Sequence, residues 1–149
     1  LDLNHLTEGV IGAAIAVHRE LGPGLLESAY EACLHYELMD RGFVVDRQKS
    51  LPIIYRGLNL EAGYRLDLLV NDLLIVELKA VDKFDPIHEA QLLSYLKLAN
   101  LNIGLLINFN VRYLKQGIRR IVNNFVENPS ALSAPSAVNE FLRRSPKQP

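Results

Sequence analysis

Three charged side chains interrupt the two most apolar stretches of this sequence. Asp67 lies within Arg65-Leu66-Asp67-Leu68-Leu69-Val70, and Glu77 and Lys79 lie within Ile75-Val76-Glu77-Leu78-Lys79-Ala80. Burying an unpaired carboxylate is costly, so charges placed there need a reason. One reason is a cation held between the two carboxylates. A hard divalent ion such as Mg2+ (or Mn2+) prefers oxygen ligands and keeps several waters, so two carboxylates and one backbone carbonyl, here that of Leu78, suffice. Such an ion polarises a phosphate and lowers the pKa of a bound water. The plainer explanation is that Glu77 and Lys79, which share a strand face by alternation, pair with each other or sit at exposed strand ends.

The elements that must position these residues are strands. Tyr64–Val70 and Leu73–Ala80 read as two strands separated by Asn71-Asp72, a hairpin signal. Both are apolar on both sides, with Leu66, Leu68 and Val70 on one and Leu69, Leu73 and Ile75 on the other, so helices should cover both faces of their sheet. The hairpin carries a geometric condition. A plain two-residue turn would pair Val70 with Leu73 and Asp67 with Val76, leaving Glu77 on the opposite side from Asp67. A shared metal site therefore requires a loop with an odd number of residues, or a β-bulge between the two carboxylates.

Apolar residues at three- and four-residue steps predict a first helix over about 6–21, ended by Gly22-Pro23-Gly24. A second is expected over about 26–41, with Leu26, Tyr30, Cys33, Leu34 and Leu38 inward and Gly42 as its stop. Phe43–Ser50 and Leu51–Tyr55 read as extended, with a turn at Arg56-Gly57. Asp85 caps a third helix, Pro86 sits in its first turn, and it runs to about Ala99. Ile103–Phe109 is a further strand, and Ile118–Val122 a short strand or helix. The order α-α-β-β-β-α-β describes an α/β domain over 1–126. The Pro-, Ser-, Ala- and Asn-rich remainder, 127–149, reads as a flexible tail with a short helix near Val138–Arg143.

The third helix carries His88, Gln91 and Tyr95 on one stripe, a pattern that also fits a solvated face, best at His88. Glu27 falls in the first turn of the second helix, where the helix dipole alone would favour it. The 149 residues are 49% hydrophobic and 22% charged, with a formal net charge of -1, which argues against a protein that coats nucleic acid through a broad basic face. A single cysteine, Cys33, excludes an internal disulfide and a Cys-rich metal site. The apolar runs are short and interrupted, so no membrane span and no signal peptide are expected, and a cytoplasmic location is the default.

Gly24, Glu27 and Tyr30, in the stretch Leu21-Gly22-Pro23-Gly24-Leu25-Leu26-Glu27-Ser28-Ala29-Tyr30, match the motif that names the GxxExxY protein family. Asp67-Leu68-Leu69-Val70, Val76-Glu77-Leu78-Lys79-Ala80, Gln91-Leu92-Leu93-Ser94-Tyr95-Leu96 and Gly104-Leu105-Leu106-Ile107-Asn108-Phe109 also resemble it, over roughly His5–Asn123. That family is placed in the PD-(D/E)XK nuclease superfamily, near the RecB-like exonucleases. The resemblance implies a restriction-endonuclease-like core: a mixed central sheet flanked by helices. It implies that Asp67 and Glu77 bind metal, that Lys79 assists the attacking water, and that Glu27 completes the metal site. It also matches Gln91 and Tyr95 to a Gln-x-x-x-Tyr signature on the helix after the core strands.

A basic set, Arg112, Lys115, Arg119 and Arg120, follows the last core strand and would either grip a phosphate backbone or form a solvated loop. The expected function is a metal-dependent nuclease acting on nucleic acid, with DNA the expected substrate. Two other readings share the same residues: a catalytically silent nucleic-acid-binding or scaffold domain, and a subunit active only with a protein partner.

Overall fold

A computed structural model describes residues 2–61 and 63–123. The domain limit at 126, the tail at 127–149 and the short helix near Val138–Arg143 lie outside the described residues. Two helices come first, α1 (Leu3–Leu21) and α2 (Glu27–Asp40). They are followed by strands β1 (Val45–Ser50), β2 (Ile53–Tyr55), β3 (Leu58–Leu60), β4 (Arg65–Val70) and β5 (Leu74–Lys79). Helix α3 (Pro86–Ala99), strand β6 (Ile103–Asn108), a 3-10 turn (Leu114–Gly117) and β7 (Ile118–Val122) complete the order. Five strands form one sheet in the order β1-β4-β5-β6-β7, with β5 and β6 parallel and the other pairs antiparallel. This mixed sheet flanked by helices is consistent with the restriction-endonuclease-like core. No described helix is long and apolar enough to cross a membrane.

Both faces of the sheet are covered, as strands apolar on both sides require. On one face Leu68, Val70, Leu74, Val76, Leu78, Leu105 and Ile107 pack with Leu6, Val10 and Val17 of α1 and Tyr30, Leu34 and Leu38 of α2. On the other, Leu69, Ile75 and Leu106 pack with Leu92, Tyr95, Leu96 and Ala99 of α3. The parallel β5–β6 pair obliges the chain to cross over, and α3 is that crossover.

Several expectations are refined. Leu26 and Cys33, expected inward, are exposed, because Leu26 is only the cap residue of α2 and Cys33 lies on its solvent side. Gly42 does adopt a positive φ, and Phe43 N–H returns to the Leu38 carbonyl to close the helix. Arg56-Gly57 is a turn, but the strand that follows it, β3, pairs only with β2, in a separate two-stranded sheet. Leu73 belongs to the β4–β5 turn and is exposed. Leu66, expected beside Leu68 and Val70, packs instead with Leu69 and Leu51. The alternation of β4 is interrupted at Asp67, the residue that bridges to neither neighbouring strand.

Candidate active site

The β4–β5 register pairs Val70 with Leu74, Leu69 with Ile75 and Leu68 with Val76. The turn is therefore Asn71-Asp72-Leu73, an odd number of residues, with Asn71 and Asp72 both at positive φ. Asn and Asp tolerate that conformation better than other non-glycine residues. The same register sets Asp67 opposite Glu77, as the sequence condition demanded.

The ladder itself stops at Leu68–Val76. Beyond it two side chains take over. Asp67 N–H donates to Glu77 Oε1 at 3.1 Å, and Leu78 N–H donates to Asp67 Oδ2 at 2.9 Å. Each carboxylate is thus fixed by one oxygen to the opposite backbone, and the two side chains lie within hydrogen-bonding reach of each other. A strand residue directs its N–H and C=O to the same neighbour. Lys79 C=O accepts from Phe109 N–H on the β6 side, so Leu78 faces the opposite way, toward β4. Its carbonyl is therefore directed toward β4.

The gap is electrostatically costly. Burial raises the pKa of Glu77 well above the ordinary carboxylate value, and the nearby Asp67 raises it further. Burial also raises that of Asp67; the bond from Leu78 works against this, and the charge of Glu31 adds to it. Lys79 lowers both, yet its ammonium has no hydrogen bond or ion pair among the described residues. Glu77 and Lys79 are therefore not a simple pair.

The third helix contributes Tyr95, whose buried ring places its hydroxyl near the two carboxylates. Its pKa is pushed up to about 12, by burial first and then by Glu77, Tyr64 and Asp67, with a hydrogen bond involving Gln91 acting in the opposite direction. The phenol therefore remains a donor at neutral pH. His88 does not join them: its Nδ1 accepts from Asp85 N–H and closes the start of α3.

Glu27 stands exposed at the rim, where Oε1 accepts from Ala80 N–H at 3.2 Å, and it lines a cleft with Ser28, Glu31, Gln48, Asp67 and Leu78. Tyr30 explains its placement. The Tyr30 hydroxyl donates to Gly22 C=O and accepts from Leu25 N–H, and its ring stacks on Phe109 at 4.5 Å. The turn that delivers Glu27 is pinned to the end of β6.

The basic set is divided. Arg112 and Lys115 line a cleft of about 700 Å³ together with Arg19, His18 and Tyr113. Arg119 and Arg120 are consecutive in β7 and point to opposite faces. Arg119 approaches Glu89 of α3 at 3.8 Å and lies over the Phe84 ring, whereas Arg120 donates to Asn4 of α1 at 2.7 Å.

A family model described as the PD-(D/E)XK nuclease superfamily matches residues 4–121, from the start of α1 almost to the end of β7. The chain belongs to the PD-(D/E)XK nuclease superfamily. No curated protein and no solved structure matches it. PD-(D/E)XK nucleases generally use divalent metals such as Mg2+. The residues present fit such an ion in their chemistry: two adjacent carboxylates, each with one oxygen held by a backbone N–H, supply hard oxygen donors. No group of three His, Cys, Asp or Glu side chains suited to a metal occurs among the described residues, so waters would fill the remaining positions, as Mg2+ prefers.

Two residues around this PD-(D/E)XK centre escape a reading of the sequence. Glu31, one turn beyond Glu27 on α2, is buried and faces Asp67. Gln48, on β1, reaches both Glu31 and Asp67. The only available signal was the spacing of four between Glu27 and Glu31, which puts both on one face of α2.

Proposed function

We propose that this chain is a metal-dependent nuclease that hydrolyses phosphodiester bonds in nucleic acid, with DNA the expected substrate and Mg2+ or Mn2+ the cofactor. One observation supports the reading: Asp67 and Glu77 lie side by side across the strand gap, each with one oxygen accepting a backbone N–H. When bound, the cation supplies charge to polarise a phosphate and to acidify a water.

The chain's own residues do the rest. Asp67, Glu77 and the Leu78 carbonyl hold the cation. The Lys79 ammonium, without a hydrogen-bond or ion-pair partner among the described residues, orients the water that attacks and offsets the charge that develops at phosphorus. Glu27, at the rim, steadies a water of the cation's shell. Tyr95 donates its hydroxyl proton toward the phosphate, and Gln91 holds Tyr95. Arg112 and Lys115, with Arg19, receive the flanking backbone. The match of Gly24, Glu27 and Tyr30 to the GxxExxY motif supports placing the chain near the RecB-like nucleases.

The test is cleavage of single- and double-stranded DNA and RNA with saturating Mg2+ or Mn2+, beside an EDTA control and Lys79→Ala. Metal-dependent cleavage that Lys79→Ala loses is expected. The divided basic set and the net charge of -1 favour one second reading, a subunit that cuts only with a protein partner. It is preferred if every substrate stays intact although the protein binds metal.

A further inference from the structure

Gln48 occupies a backbone conformation that its residue type disfavours. Its φ is 53°, in the left-handed region, and it lies inside strand β1. A non-glycine residue there is strained, and such strain persists only where surrounding contacts enforce it. No residue is inserted at this point. Arg47 pairs with Leu68 and Lys49 with Leu66, so the register runs straight through, yet Gln48 and the Asp67 opposite it form no bridge.

The left-handed residue changes which side chains meet. Consecutive strand residues ordinarily point to opposite faces. Here Arg47 and Gln48 converge on the same carboxylate: Arg47 Nε donates to Glu31 Oε2 at 3.0 Å, and Gln48 Nε2 donates to Glu31 Oε1. The same Gln48 amide nitrogen lies 3.3 Å from Asp67 Oδ1. An amide nitrogen carries two protons and an ionised carboxylate only accepts, so the contacts use both protons. Each Glu31 oxygen accepts a hydrogen bond, one from a cation and one from an amide, which makes Glu31 an anchor.

We infer that Gln48 is a positioning residue for the cation site, tying Asp67 to the anchored carboxylate of Glu31 and thereby aiming Asp67 Oδ1 into the gap. Leu78 N–H fixes one oxygen of Asp67 and Gln48 steers the other, so the carboxylate is held at both oxygens before a cation arrives. The strained backbone is the cost of bringing the amide to that point. This inference rests on the reading of Asp67 as a metal ligand.

The test is Mn2+ binding to the full chain, followed by calorimetry and by the paramagnetic resonance of free Mn2+, with melting temperature measured in EDTA. Gln48→Asn keeps the amide and the tolerance for positive φ, but it is one methylene too short to span Glu31 and Asp67. Gln48→Gly accepts the backbone and removes the amide. Both should bind Mn2+ about 10- to 100-fold more weakly, the range for lost outer-shell partners, while melting within a few degrees of the parent. Glu31→Ala added to Gln48→Asn should weaken binding little further, since both act through one path. Arg56→Asn, at another positive φ in the turn of the separate β2–β3 sheet, should leave affinity unchanged. Parent-like Mn2+ affinity in the Gln48 variants overturns the inference while leaving the metal site standing. If Gln48→Asn does not fold, Gln48→Gly decides alone. A parent that binds no Mn2+ overturns the metal-site reading and this inference with it.

Discussion

The β4–β5 hairpin is closed at one end and open at the other. At the turn, Val70–Leu74, Leu69–Ile75 and Leu68–Val76 pair in a regular ladder, and their side chains are buried in the two cores. One residue further, backbone pairing gives way to Asp67 and Glu77, whose carboxylates accept the N–H groups that a ladder would otherwise use. The same two strands thus serve as scaffold at one end and as ligand holder at the other. The apolar end fixes the register, and the register puts the two carboxylates opposite each other.

The largest expected difference between the ends comes from removing ligands at the open one. Asp67→Ala or Glu77→Ala should abolish Mg2+ binding in calorimetry and reduce cleavage by at least about 10²–10³-fold, the scale of losing one preorganised group. At the closed end, Leu69→Ala should cost about 2–5 kcal/mol of stability in denaturant unfolding, while the folded protein keeps its metal affinity. Metal binding that survives Asp67→Ala would erase the contrast.

Lys79→Ala should separate holding the cation from using it. Cleavage falls by about 10²–10³-fold, and Mg2+ affinity in calorimetry stays within about threefold of the parent, because an ammonium supplies no ligand oxygen. An equal loss of both would make Lys79 part of the scaffold.

A smaller effect concerns pH. The raised pKa of Glu77, caused first by burial and then by Asp67, means that the folded protein without metal holds a proton more tightly than the unfolded chain does. The stability linked to that proton is fully present below the ordinary carboxylate range and is lost as pH rises through the folded-state pKa. Glu77→Gln keeps an acceptor for Asp67 N–H and removes the charge. In EDTA it should melt a few degrees above the parent at pH 8 and converge with it near pH 4, as followed by circular dichroism. Metal affinity of the parent should rise with pH over the same interval, since the ligands must be deprotonated.

The smallest effect belongs to the turn. Asp72→Gly relieves a positive φ and should change stability by no more than about 1 kcal/mol, with metal affinity and cleavage unaltered. A marked change in cleavage would show that the closed end is not passive.

Much of this division is legible in the sequence. Charges in apolar strands marked Asp67, Glu77 and Lys79, and counting residues was enough to demand either an odd loop or a β-bulge, of which the odd loop is found. In the turn Leu73 was misassigned, since a leucine beside Leu74 reads as strand although it closes the turn. The rest depends on features without a compositional signal. Glutamine is not a residue that announces a left-handed conformation, so the role of Gln48 appears only once β1 lies beside β4. Glu31 reads as an ordinary helix carboxylate until Arg47 and Gln48 are seen to cover it. Arg112, Lys115, Arg119 and Arg120 look like one strip in the chain, but the last two fall in a strand and diverge to α3 and α1.

The central claim, a cation between the two carboxylates, is tested most directly by an anomalous diffraction map from crystals grown with Mn2+. The expected result is a single strong peak about 2 Å from Asp67, Glu77 and the Leu78 carbonyl oxygen. A gap that stays empty at saturating Mn2+, or a peak held by other residues, would contradict it.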